Sequence, residues 1–136
     1  MPEKLNAGAV LPARLDAELS ALGLGPGASG FVPPPEVSAA AAAGLALRAA
    51  HKRGGTDVGL ARAEALAAGR SLGAAEMRQA AGWFARFAYL AGKRGWGDEA
   101  APSTGWIAWQ LWGGDPGRAW VEAERARWQG GSGAVV

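Results

Sequence analysis

The stretch from Pro102 to Trp128, A-P-S-T-G-W-I-A-W-Q-L-W-G-G-D-P-G-R-A-W-V-E-A-E-R-A-R-W with its preceding alanine, constrains the fold more than any other part of the chain. It holds five of the seven tryptophans. Trp106, Trp109 and Trp112 recur at helical steps of three, with Ile107 and Leu111 beside them. The Ser103 hydroxyl is placed to cap this first helix by accepting from an orphan amide of its first turn. Gly113 and Gly114 end it, because a helix stop commonly needs a left-handed residue. Asp115 followed by Pro116 then reads as an N-cap and first helical position, and Trp120 and Trp128 lie on one face of the second helix. The spacing predicts a helical hairpin with an indole-rich inner surface.

An all-α fold follows from the rest of the composition. Alanine occurs 33 times, whereas valine, isoleucine and threonine together occur 10 times, so helix-favouring residues dominate strand-favouring ones. With 13 leucines, the helices must approach closely and the indoles must fill the volume that small side chains leave. Loss of one buried tryptophan is then expected to destabilise by roughly 3–5 kcal/mol. The expected architecture is a compact bundle of four to five short helices behind an extended N-terminal arm.

Three parts are expected along the chain. Residues 1–34 form an arm with one short helix at 12–22, where Leu11, Leu15, Leu19 and Leu22 make a stripe that needs a partner surface, followed by a Gly/Pro linker. Residues 35–129 form the helical domain, with helices at 35–52 and 57–68 and a longer one, opened by Ser71 or Gly73 and running through about Ala91, preceding the tryptophan hairpin. Thr56 caps the second of these, and Glu76 lies in the first turn of the third. Trp83 and Phe84 fall on that helix's apolar face, which makes them core residues together with Trp106, Trp109, Trp112, Trp120 and Trp128. Trp96, in a glycine-rich turn, is the tryptophan expected to be most exposed. Residues 130–136 are read as a flexible tail.

Charge is uneven. The chain carries a net charge of +2, but nine Lys or Arg lie between Gly44 and Arg94 against three acids. Lys52, Arg53, Arg62, Arg70, Arg78 and Arg86 are therefore the candidate surface for nucleic acid or an acidic partner. Helices 57–68 and 74–91 resemble a helix-turn-helix arrangement, but the absence of a base-reading Asn/Gln cluster points to nonspecific phosphate contact. A helical face bathed in solvent accounts for the same charges.

Catalytic and metal chemistry find little support. Cysteine is absent and His51 is the single histidine, so neither a transition-metal site nor a cofactor is expected. Asp98 and Glu99 are sequence neighbours in a polar turn, where side chains normally point apart. The glycine-rich pieces lack the P-loop layout. No apolar run reaches the roughly 18 residues that cross a bilayer, and the opening residues lack a secretory layout, so a soluble intracellular protein is expected.

Two blocks carry a family resemblance. R-G-G-T-D-V-G-L-A-R-A-E-A-L-A-A-G-R-S-L, followed by M-R-Q-A-A-G-W-F-A-R-F, and the later P-S-T-G-W-I-A-W-Q-L-W-G-G-D-P-G-R-A-W together resemble a small tryptophan-rich helical domain encoded by tailed bacteriophages and prophages. The likeness spans about residues 36–128, and W-G-G-D-P-G-R-A-W is its most specific part. The chain departs from the pattern after Phe87, where Ala88 and Tyr89 replace the histidine and charge common in such domains. The resemblance implies a non-enzymatic virion or head-assembly component, acting in the virion or host cytoplasm and docking on other phage structural proteins. It carries over no catalytic residue. The alternative is a phage DNA-binding accessory protein that uses the basic middle.

Overall fold

The computed structural model describes residues 30–134, with side chains described through Gln129, and these residues fold as an all-α domain. The expected helix at 12–22 lies outside the described residues. Six helices follow one another: α1 (Pro35–His51), α2 (Asp57–Ala67), α3 (Ala74–Phe87), α4 (Thr104–Leu111), α5 (Gly114–Ala123) and α6 (Arg125–Ala134), with a 3-10 turn at Ala88–Leu90. No helix among the described residues is long and apolar enough to cross a membrane.

Local chemistry accounts for most of the boundaries. Pro35 opens α1 after an extended Pro34, where a missing amide proton is no loss, and Glu36 and His51 sit at the ends that the helix dipole favours for their charges. Lys52, rather than a glycine, takes the left-handed cap (φ 56°), and Gly54 and Gly55 continue the turn at positive φ. The Thr56 hydroxyl accepts from the Gly59 amide at 3.2 Å and the Ser103 hydroxyl from the Trp106 amide at 3.0 Å, so both expected caps form. At the start of α3 the Glu76 carboxylate reaches back to the Gly73 amide at 2.8 Å.

Four expectations change. Asp115 does not cap α5: Gly113, at φ 115°, holds that place, and the Asp115 carboxylate instead accepts the indole N–H of Trp109 at 2.8 Å. The last helix is broken at Glu124, which places Trp120 on α5 and Trp128 on α6 and brings the helix number to six. The backbone of 130–134 continues α6. Finally, residues 31–34 belong to the folded body rather than to the arm. Phe31 and Leu72 exchange both backbone hydrogen bonds, at 2.8 and 2.9 Å, and both side chains are buried.

The helices form two mutually contacting triplets, α1–α2–α4 and α3–α5–α6, with α5 also touching α1 and α4. Aromatic rings join them. Trp109, on α4, is 2% exposed and lies 4.8 Å from the Phe84 ring, 5.8 Å from Trp83 and 5.2 Å from Trp96. Trp112, Trp120 and Trp128 are buried as expected, and the Trp128 indole donates to the Val121 carbonyl at 2.9 Å. Trp83 and Trp106 are only half-buried against this core. Trp96 is not left open: it is half-buried, edge-on to Trp106 and Trp109 at 5.0 and 5.2 Å, because Gly95 at φ 86° folds its loop back until the Gly95 carbonyl accepts from the Ser103 amide.

Small residues set the helix spacing. A methyl group on Gly44 of α1 would stand 2.6 Å from the Leu111 backbone nitrogen, so α1 and α4 touch backbone to backbone there. Gly82, on the exposed side of α3, meets nothing within 4 Å. The same substitution should therefore have opposite signs at the two sites. Gly82→Ala is expected to stabilise by about 0.5–1 kcal/mol through helix propensity. Gly44→Ala should destabilise by at least about 1–3 kcal/mol because the helices must separate. Thermal melts of the two variants check this; equal shifts would refute the backbone contact.

Candidate functional site

A groove lined by Gly55, Thr56, Trp83, Phe87, Leu90, Thr104, Gly105, Ala108 and Trp112 opens between the N-termini of α2 and α4 and the C-terminal end of α3, enclosing about 260 Å³. Its aromatic wall comes from the helical repeat of α3, which puts Trp83 and Phe87 one turn apart with ring centroids at 4.9 Å. Trp83 stacks on Trp112 of the other triplet at 5.1 Å and 14°. Glycine makes the remaining wall possible. A methyl group at Gly105 would come within 2.9 Å of Leu90, and one at Gly59 within 3.2 Å of the Trp112 indole nitrogen. The Thr56 and Thr104 side chains, both on exposed residues, bring hydroxyls to the rim.

Behind Trp112 lies the one buried charged residue noted among the described residues, Arg62, at 9% exposure. Its guanidinium stands 5.7 Å from the Trp112 ring and donates to Glu76 at 3.0 Å and Gln79 at 2.7 Å, strapping α2 to α3. Its Nε is buried without a partner. Burial pushes the Glu76 carboxyl up, but the Gly73 amide and Arg62 outweigh it and hold it below the ordinary carboxylate value. Arg62 is thus withdrawn from any binding surface, contrary to expectation: its hydrogen bonds close the gap between two helices.

The other basic candidates do not share one environment. Arg53 donates to the Pro102 carbonyl at 2.6 Å, tying the α1–α2 turn to the start of α4. Arg78 reaches across to α6, 3.3 Å from the Trp128 carbonyl and 5.9 Å from its ring. Arg86 lies 5.4 Å from the Phe87 ring beside the groove. Lys52 and Arg70 are exposed in turns after α1 and α2. Asp98 folds onto its own turn, accepting from the Ala100 and Ala101 amides at 3.0 and 3.1 Å.

A second depression, of about 370 Å³, lies along α1 and α4 and gathers His51, Glu99, Gln110 and Trp106, residues that sequence spacing gave no reason to combine. The Trp106 indole nitrogen is buried there without a partner. Among the described residues, no group of three or more His, Cys, Asp or Glu is placed to hold a metal ion.

Comparison with protein-family models, curated proteins and solved structures finds no match for this chain. The chemistry of the groove therefore rests on its own residues. It offers flat apolar faces, little charge and two hydroxyls, which suits the seating of apolar side chains from another polypeptide segment.

The Arg62–Glu76 strap supplies a pH test. Because the folded state holds the Glu76 carboxyl below its unfolded value, the associated stability is present above the ordinary carboxylate range and is lost as pH falls through the lowered value. Glu76→Gln should therefore lower the melting temperature at pH 7 and converge with the parent at the acid end of the range. Thermal melts across pH 2–7 measure it, and a gap that persists unchanged at the acid end would contradict the assignment.

Proposed function

We propose that the chain is a non-enzymatic docking module of a tailed-bacteriophage virion or head-assembly machine, acting in the virion or host cytoplasm on other phage structural proteins. The observation that carries the docking role is the Trp83–Phe87–Trp112 groove: half-buried Trp83 and Phe87 stand against a buried Trp112, and the nearby Arg62 is engaged between two helices. A rigid apolar seat of this kind recognises side chains by shape. The phage setting rests on the resemblance of W-G-G-D-P-G-R-A-W and its preceding blocks. The reading requires no cofactor.

The DNA-binding alternative is less well supported. Of the six basic residues that it needs, Arg62 is buried, Arg53 donates to the Pro102 carbonyl and Arg78 lies against Trp128. Phosphate binding draws on accessible cations, and each one engaged elsewhere weakens the salt-dependent attraction.

Two measurements test these readings. Mass spectrometry of purified particles, including assembly precursors, is expected to find the chain at a fixed copy number; its absence from both would reject the virion assignment. Ala108→Glu, which puts a carboxylate into the groove, should reduce incorporation by about tenfold or more, equivalent to about 1.4 kcal/mol. In a gel-shift titration, a steeply salt-sensitive complex that disappears with Arg70→Ala and Arg86→Ala would favour the DNA reading instead.

A further inference from the structure

We infer that the partner segment seated in the aromatic groove is acidic as well as apolar: a large apolar side chain fills the groove while flanking carboxylates meet a cationic rim. The inference rests on the groove being a docking site and adds the chemistry of what docks. Apolar surface extends beyond the groove itself. Among the described residues the exposed large hydrophobics are Val32, Val58 and Tyr89. Two of them adjoin its lining in sequence: Tyr89, 65% exposed, falls between Phe87 and Leu90, and Val58, 51% exposed, follows Thr56 by two positions. Apolar groups facing water and gathered at one place mark a contact surface, whereas single ones scattered over a protein do not.

Charge selects the occupant. No charged residue lines the groove, but the Arg86 guanidinium lies 5.4 Å from the Phe87 ring. Lys93 and Arg94 are exposed in the turn that leaves Leu90, where the Lys93 amide donates to the Leu90 carbonyl at 3.1 Å. Among the described residues, none of these three cations has a carboxylate partner. The nearby acids do not offset them. Asp57 is exposed in the first turn of α2, where the amide end of the helix already answers its charge. Asp98 is folded onto the amides of its own turn, and Glu99 lines the other depression with His51. The rim is therefore positive, and interfaces match such a potential with the opposite sign on the partner.

The same rim argues against two other occupants. A second copy meeting this face across a two-fold axis would bring Arg86, Lys93 and Arg94 against their own counterparts, and like charges so placed oppose association. A nucleic-acid strand would find cations, but Trp83 already stacks on Trp112 at 5.1 Å, and the lining carries no amide or carboxylate side chain to read a base edge. An acidic amphipathic peptide satisfies both parts of the surface. Its apolar anchors cover Trp83, Phe87 and Leu90, and carboxylates about three or four residues from an anchor, on the same helical face, reach the rim.

Selection from a library of random peptides on the immobilised full chain tests this chemistry. Recovered peptides are expected to carry a large apolar residue with Asp or Glu within one helical turn, and to shift the indole N–H signals of Trp83 and Trp112 in NMR titrations. Raising the salt from about 0.05 M to about 0.5 M should weaken the best of them by about tenfold, and so should Arg86→Glu. Selection repeated on Arg86→Glu should turn the preference towards Lys and Arg, which a merely structural role for Arg86 would not do. Should a thermal melt show that variant unfolded, Lys93→Glu with Arg94→Glu, in an exposed turn, repeats the reversal. Recovered peptides that are neutral or basic, or acidic ones indifferent to both reversals, would overturn the inference and leave the groove a docking site. It is equally overturned if a single-stranded oligothymidylate binds more tightly and shifts the same two signals, or if the free chain dimerises in sedimentation and Ala108→Glu abolishes the dimer. If no peptide is recovered while Ala108→Glu still blocks particle incorporation, the inference falls alone. The docking reading fails separately, when no peptide of any charge moves the two signals and Ala108→Glu leaves incorporation unchanged.

Discussion

A buried indole N–H costs free energy unless an acceptor meets it, and for Trp109, at the centre of this domain, Asp115 provides one. The Trp109 ring is almost wholly buried and touches Phe84, Trp83 and Trp96, so it contacts side chains of α3 and of the loop that follows it. Its N–H is met by the Asp115 carboxylate at 2.8 Å. A donor buried without that acceptor would cost about 1–3 kcal/mol. The W-G-G-D spacing serves this bond: two glycines at φ 115° and 67° turn the chain sharply enough to bring the first turn of α5 back against α4.

Around this centre, residues that lack bulk determine where the bulky ones meet. Gly44 lets α1 reach the backbone of α4, Gly59 admits the Trp112 indole, and Gly105 makes room for Leu90. The result is a core of rings whose edge remains partly open, since Trp83, Phe87 and Leu90 are only half-buried. The Arg62 strap stiffens that opening by joining α2 to α3 behind Trp112. Core and groove are thus one continuous aromatic system.

Much of the fold was legible because its signals are local. Thr56 and Ser103 cap their helices through hydrogen bonds spanning three residues, Pro35 sets the start of α1, and tryptophans at helical spacing face inward. The errors cluster where a residue's partner is distant or competes with a local one. Asp115 looked like a cap because Asp-Pro favours that role, but the indole six residues earlier took its carboxylate. Arg62 looked exposed because charge ordinarily is, and nothing in its own helix announces Glu76 and Gln79 across the gap. Phe31 looked like part of a linker, while its pairing with Leu72 spans forty-one positions of sequence. The groove itself was invisible for the same reason, as its wall draws on three separate stretches between Gly55 and Trp112.

What the sequence determined alone is therefore the helical class, most helix starts, and which large rings turn inward, since alanine content, capping residues and periodicity act over a few residues. Tertiary structure alone decided the break at Glu124, the burial of Arg62, the folding of Trp96 onto the core and the existence of the groove. Each of these depends on how closely two helices can approach, a distance set jointly by side chains that lie far apart in the chain and meet only once it has folded.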